Sequence, residues 1–284
     1  MKKIVIVALL LCSGVAFAQR SSVQQLKMHS EILGAEKELT VYLPAGYEKS
    51  GERYPVLYLL HGAWGCHTDW TEKGNAKLIA DEAIAGGMAL PMIIVMPDAK
   101  GEGPDLAGKN MGYFNLSGWA YEDYFFKELI PHIDKTFRTK AEKGSRAIAG
   151  LSMGGGGTTI YAQRHPEYFS SACALSALVA EPNSGTASRL GADFAEAGRK
   201  VNPTLFIKNA TEAQLAALRS VRWYFDCGDD DYLIAGNLEL FLLMSEKKVP
   251  MELRVRNGGH NWVYWQTALT PVLQFISTGF AGNL

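Results

Sequence analysis

The stretch that most constrains this chain is residues 146–159, Arg-Ala-Ile-Ala-Gly-Leu-Ser-Met-Gly-Gly-Gly-Gly-Thr-Thr. Residues 147–149 read as the end of a short buried strand, and Thr158 onward can continue as a helix. Gly150-Leu151-Ser152-Met153-Gly154 therefore falls at a sharp strand-to-helix turn, the pattern of a nucleophile elbow. There the serine takes a strained backbone conformation, and side chains two residues to either side would collide, which is why glycine stands at 150 and 154. Ser152 is thereby pushed out at the top of a sheet, with the first free N–H groups of the next helix facing the same space. In a chain with 29 glycines a bare G-x-S-x-G arises by chance often enough that the motif needs support from its flanks and from partners downstream.

The flanks supply a regular order. Residues 23–43 alternate and carry β-formers, as in a hairpin at a sheet edge. Residues 54–60 and 92–96 are near-continuous apolar runs, the pattern of strands buried on both faces. A helical stretch at 76–85 lies between them, and residues 121–137 have helical spacing. After the elbow come a strand at 170–175, a strand at 221–227, a helix at 233–246, a strand at 251–255 and a closing helix at 263–277. Strands alternating with helices imply an α/β fold with a mostly parallel sheet covered on both faces. Two segments break the rhythm. The glycine-rich loop 99–118 is long enough to be functional, and residues 177–219, with small helical pieces, read as a cap or insertion.

A serine hydroxyl is a weak nucleophile at neutral pH, so it needs a general base, and the base needs a carboxylate to hold its tautomer. On this turn geometry both follow the serine, acid first and histidine second. His29, His61 and His67 precede Ser152; His132 lies in a helical run, and His165 stands before Pro166 at a helix end. His260 alone lies on a glycine-rich loop after a late strand, where Gly258-Gly259 allows the backbone to turn tightly. Asp229, Asp230 and Asp231 all follow the strand 221–227, and periodicity does not separate them. Asp226 lies within that strand and is set aside. The tetrahedral intermediate of acyl transfer needs two N–H donors, one from the residue after the nucleophile, Met153, and one from the loop after an early strand, at Ala63.

The termini and composition bound the rest. Lys2, Lys3, an apolar run at 4–11 and Ala16-Phe17-Ala18 form the three parts of a secretory signal, with cleavage expected before Gln19. The apolar core is too short for a membrane span, and Leu11 before Cys12 argues against lipidation. The expectation is a signal peptide at 1–18 and one exported domain at 19–284, periplasmic or extracellular. That mature chain carries 26 basic against 29 acidic residues, which gives no footprint for nucleic acid. Cys66, Cys173 and Cys227 remain after processing; an odd count makes no complete disulfide framework, and the latter two lie in apolar runs where buried thiols are the default.

Taken together, Leu59-Leu60-His61-Gly62, Tyr121-Glu122-Asp123-Tyr124, Glu128-Leu129-Ile130-Pro131, Gly150-Leu151-Ser152-Met153-Gly154-Gly155, Cys227-Gly228-Asp229-Asp230-Asp231 and Gly258-Gly259-His260-Asn261-Trp262 resemble the esterase-D-like branch of the α/β-hydrolases. The resemblance is nearest to the feruloyl and acetylxylan esterases of carbohydrate esterase family 1. It implies an α/β-hydrolase fold with a small cap, and a serine carboxylesterase that works through an acyl-enzyme without a cofactor or metal. It assigns the acid to Asp231, at the end of a Gly-x-x-Asp pattern, with Asp230 second, and supports Ala63 as an oxyanion donor, leaving His61 to shape its loop. It implies feruloyl or acetyl esters of plant polysaccharide as substrates, with a mycolyltransferase-like acyl transfer, a thioesterase resembling S-formylglutathione hydrolase, and a non-catalytic carbohydrate binder as alternatives. Trp64, Trp70, Trp119 and Trp262 fall near the expected rim, and Trp64 is the candidate aromatic contact for substrate. A metal reading of His61, Cys66, His67 and Asp69 lacks the clear ligand spacing of a zinc site.

Overall fold

The computed structural model describes residues 20–282; the expected signal peptide lies outside them. Ten strands form: β1 (Ser22–Ser30), β2 (Ala35–Leu43), β3 (Val56–Leu60), β4 (Ile93–Pro97), β5 (Asn115–Leu116), β6 (Trp119–Ala120), β7 (Arg146–Leu151), β8 (Ser171–Leu175), β9 (Arg222–Gly228) and β10 (Met251–Arg256). Eight of them make one sheet in the order β1-β2-β4-β3-β7-β8-β9-β10, with β5 and β6 paired separately. In the large sheet β1 to β2 and β2 to β4 are antiparallel and every other pairing is parallel; the small β5–β6 pair is antiparallel. This is the mostly parallel, doubly covered sheet that the apolar runs required.

Side chains alternate between two cores along each central strand. In β3, Leu57 and Leu59 join the helices Ala76–Ala85 and Trp262–Ala281 on one face, while Val56, Tyr58 and Leu60 face the core of the opposite side. That second core holds Tyr121, Tyr124 and Phe125, the elbow helix Met153–Arg164 and the helix Ile234–Glu246. Each fully buried Leu or Ile of these strands contributes roughly 1.5–3 kcal/mol relative to exposure, and an isosteric polar residue at any of them would forfeit that.

Two local departures from the sequence reading have physical causes. The elbow helix begins at Met153, not at Thr158, so it runs through four consecutive glycines. Glycine costs about 1 kcal/mol against alanine inside a helix, but a Cβ at 154 would stand 2.5 Å from the His61 carbonyl and one at 157 would stand 2.6 Å from the Tyr113 ring. Close approach of neighbouring chain outweighs propensity. The helical stretch after Ala120 is π-helical over Phe125–Leu129 before resuming as α-helix at Ile130–Thr136; Pro131 donates no N–H and its ring crowds the preceding turn, which opens the ladder there.

Residues 177–219 hold four short helices, Ser184–Leu190, Ala192–Lys200, Pro203–Asn209 and Glu212–Leu218. Asn183 and Thr211 cap two of them with reciprocal capping boxes, each cap being worth about 1 kcal/mol. Among the described residues no helix is long and apolar enough to cross a membrane. Cys66, Cys173 and Cys227 are free thiols, and burial pushes the Cys227 thiol up to about 12, so it stays protonated and inert.

Candidate active site

The carboxyl ends of β3, β7, β9 and β10 open at one edge of the sheet, and each leads into a loop that carries a candidate residue. At the end of β7, Ser152 has φ 55° and ψ −117°, a conformation that side chains rarely adopt and that neighbouring structure must impose. Its amide is held by the Leu175 carbonyl at 2.8 Å, and its own carbonyl accepts from Gly156 and Leu178. The steric reading of the glycines holds: a Cβ on Gly150 would lie 2.5 Å from the Gly154 carbonyl oxygen.

Ser152 Oγ lies 2.9 Å from His260 Nε2, and His260 Nδ1 lies 2.9 and 3.1 Å from the two carboxylate oxygens of Asp231. A carboxylate only accepts, so Nδ1 carries the imidazole proton and Nε2 is left to accept from the serine hydroxyl. Of the three adjacent acids, Asp231 alone reaches His260. It is 2% exposed and also accepts the Leu233 N–H at 2.9 Å, which fixes the carboxylate. Asp229 instead accepts the Gly258 N–H at 3.0 Å, and the Asp230 N–H donates to the Gly258 carbonyl. The acid loop and the histidine loop are thus laced together by backbone. A Cβ on Gly228 would overlap the Gly258 carbonyl, and Gly258 itself sits at φ 141°; both positions require glycine.

The imidazole is flanked by two rings. Trp265 meets it edge-on at 4.9 Å, and Tyr232 lies at 4.6 Å with 47° between planes. Behind the loop, the Asp226 carboxylate is fully buried and accepts from Tyr224, from Tyr264 at 2.5 Å and from Arg256 Nε at 3.1 Å. Arg256 and Tyr264 stand four residues before and four after His260, so one carboxylate ties down both ends of its loop. The sequence reading set Asp226 aside because strand position speaks against an acid of the triad; a buried carboxylate between two tyrosines and an arginine leaves no periodic trace.

The N–H groups of Ala63 and Met153 have no hydrogen-bond partner among the described residues. Met153 opens the elbow helix, so its N–H is one of the helix's unpaired donors. Gly62 presses on the elbow, a Cβ there standing 3.5 Å from Ser152 Cβ. His61 organises this loop. It is buried, its Nδ1–H donates to the Gly62 carbonyl at 2.7 Å and its Nε2 accepts from Ala99 N–H at 2.9 Å. Burial lowers its pKa, overriding the nearby Asp98 charge, which keeps Nε2 free to accept. His67 is engaged with Thr40 and Glu38, and His61, Cys66, His67 and Asp69 do not form a metal-ligating group among the described residues.

Beside Ala63 and Met153 lies a pocket of about 290 Å³, walled by Tyr113, Phe114, Ile160, Leu178, Leu190 and Phe194. Its floor is the glycine face of the elbow helix, and the helices Ser184–Leu190 and Ala192–Lys200 close one side. Asn110 reaches the Trp64 N–H and joins the lining. Trp64 is 65% exposed at its edge, at φ 61°, whereas Trp70 and Trp119 are core residues. Beyond Trp64, the oxyanion residues and the elbow glycines, the pocket's walls were not singled out in the sequence; most come from the segments 99–118 and 177–219, which lack a clear period.

A model of the Esterase family, described as "Putative esterase", matches residues 30–276. An endo-1,4-beta-xylanase/feruloyl esterase of Xylanibacter ruminicola is 46% identical over 153 residues, 52% of this chain and 20% of that protein. Esterase Rv1288 of Mycobacterium tuberculosis is 29% identical over 263 residues, 82% of this chain and 54% of that protein. The chain therefore spans between a fifth and about half of the length of these curated relatives. A solved ferulic acid esterase is 40% identical with a TM-score of 0.85, over 92% of this chain and 99% of that one. The fold is that of the α/β-hydrolases, and the chain belongs to the Esterase family.

Proposed function

We propose that the protein is an exported serine carboxylesterase that cleaves feruloyl esters of plant polysaccharide through an acyl-enzyme. His260 Nε2 takes the Ser152 proton as Oγ attacks the ester carbonyl, and Asp231 holds the imidazole and stabilises its cation. The oxyanion is met by the Ala63 and Met153 N–H groups, each such donor being worth roughly 2.7–4 kcal/mol of barrier in known cases. His260 then protonates the leaving alcohol, the ester C–O bond breaks, and water activated by the same imidazole releases the acid and restores Ser152.

The observation that carries the substrate reading is the pocket. It lies on the side of the oxyanion donors, and its lining includes neither Asp231 nor His260. The leaving alcohol must face His260, so the pocket falls to the acyl group. An aromatic-walled space of about 290 Å³ suits a flat phenylpropenoid ring, whose faces and edges pack against Tyr113, Phe114 and Phe194; an acetyl group would leave most of it unfilled. The names of the Xylanibacter relative and of the solved ferulic acid esterase support the same reading. Export rests on the charge and apolar pattern of residues 1–18.

The test is a substrate panel of methyl ferulate, an acetylated xylo-oligosaccharide and short p-nitrophenyl esters. The reading requires kcat/KM for methyl ferulate to exceed that for the acetylated sugar by at least about tenfold, the factor of a 1.4 kcal/mol difference. Equal or inverted preference would discard the feruloyl assignment and leave a generic esterase.

A further inference from the structure

Tyr232 is the most exposed of the large hydrophobic side chains in the described residues, at 73%, and its place is not accidental to the site. The residue before it, Asp231, accepts the Leu233 N–H with its side chain and the Ile234 N–H with its backbone carbonyl. This Asx turn fixes the backbone on both sides of position 232 and directs its ring outward. The ring lies 4.6 Å from that of His260 at 47° between planes, whereas the buried Trp265 meets the imidazole edge-on. An isolated surface tyrosine would be ordinary; one held against the group that protonates the leaving alcohol is in the path of whatever that alcohol carries.

The sheet order adds a second constraint. Trp64 follows β3 and Tyr232 follows β9, and in the order β3-β7-β8-β9 these strands stand on opposite sides of the nucleophile strand. Each aromatic is one residue from a proposed catalytic group, Ala63 or Asp231. Trp64 lines the acyl pocket and Tyr232 does not. The two exposed rings therefore divide the ester between them, Trp64 on the acyl side and Tyr232 on the alcohol side.

We infer that Tyr232 forms a sugar subsite, stacking on the pyranose or furanose that bears the ester and so selecting esters of carbohydrate over esters of small alcohols. A sugar ring presents a C–H face that packs on an aromatic plane while its hydroxyls stay in water, and an exposed, backbone-pinned phenol offers that plane with little ordering cost. The inference rests on the polysaccharide-ester reading above for the identity of the alcohol.

The experiment compares wild type, Tyr232→Ala and Tyr232→Trp on methyl ferulate and on an arabinoxylo-oligosaccharide bearing one feruloyl group. It also measures calorimetric binding of the same oligosaccharide without its ester. In Tyr232→Ala the ratio of kcat/KM for the sugar ester to that for methyl ferulate should fall about tenfold, carried by KM; Tyr232→Trp should keep it. Binding of the bare oligosaccharide should weaken in parallel. Equal losses of kcat on both esters would show that Tyr232 braces His260 and would overturn the subsite, as would an unchanged ratio. A wild type that binds the sugar through Tyr232 yet cleaves no feruloyl ester would refute the substrate reading and leave the subsite standing; one that cleaves both esters alike and binds no sugar would do the reverse.

Discussion

Replacing Asp226 by asparagine should uncouple the histidine loop from the sheet. Asp226 is fully buried and answers three donors, the hydroxyls of Tyr224 and Tyr264 and Arg256 Nε. Asparagine keeps one acceptor oxygen and turns the other into an NH2 donor. A tyrosine hydroxyl can rotate to accept from it, but a guanidinium cannot accept at all. Removing one partner of a fully buried ion pair costs about 3–5 kcal/mol. Arg256 keeps 33% of its side chain exposed and a hydrogen bond to Thr267, so water recovers part of that, leaving a loss of about 2–3 kcal/mol. Urea unfolding should show this as a lower midpoint with an unchanged slope. Because Arg256 and Tyr264 bracket His260, the loop should also shift. A misplacement of order 1 Å costs up to about 10² in rate, so kcat on a simple ester should fall about ten- to hundredfold while KM changes little. A variant within about 0.5 kcal/mol of wild type, the scatter of surface substitutions, and with full kcat would refute the clamp.

Other consequences can be checked with the same protein. Gly157→Ala gains about 1 kcal/mol of helix propensity but drives a methyl into the buried Tyr113 ring, an overpacking of about 1–3 kcal/mol; thermal unfolding should show a net loss, and a gain would mean that the ring yields freely. Burial pushes the Glu122 carboxyl up, but hydrogen bonds from His165 and Arg164 outweigh it and leave its pKa below the usual 4.5. Its stabilisation is therefore complete above that value and lost as pH falls through the lower folded value. Glu122→Gln should cost about 1–2 kcal/mol at pH 7, allowing for the part-exposed Arg164, and the gap to wild type should narrow as pH falls below the usual carboxylate value; a gap independent of pH would contradict the assignment. His260→Ala should fold normally, lose activity by orders of magnitude and react slowly with a fluorophosphonate at Ser152, since the base that activates the hydroxyl is gone. Rapid labelling in that variant would remove His260 from the mechanism.

What the sequence disclosed, and what it hid, follows from how each feature is encoded. Strands buried on both faces are written as continuous apolar runs, so β3, β4, β7, β8 and β9 were legible to within a residue or two. The elbow was legible because sterics demand glycine at 150 and 154. The run Gly154 to Gly157 misled, since propensity argues against helix there while the cause of the glycines, the His61 carbonyl and the Tyr113 ring, lies far away in sequence. His260 could be chosen by its loop and its order in the chain. Asp231 could not be separated from its neighbours by pattern, because which of three adjacent carboxylates meets an imidazole depends on the turn and its lacing to Gly258. The pocket and the Asp226 clamp were invisible for a related reason. Their members come from several segments and share a site only after folding.

The central claim is that Ser152 is the nucleophile of an ester hydrolase. The measurement that addresses it most directly is the turnover of methyl ferulate by wild type and by Ser152→Ala, with both proteins shown by circular dichroism to be folded. The account predicts measurable turnover by wild type and a fall of at least about a thousandfold in the variant. Near-wild-type turnover by a folded Ser152→Ala protein would contradict it.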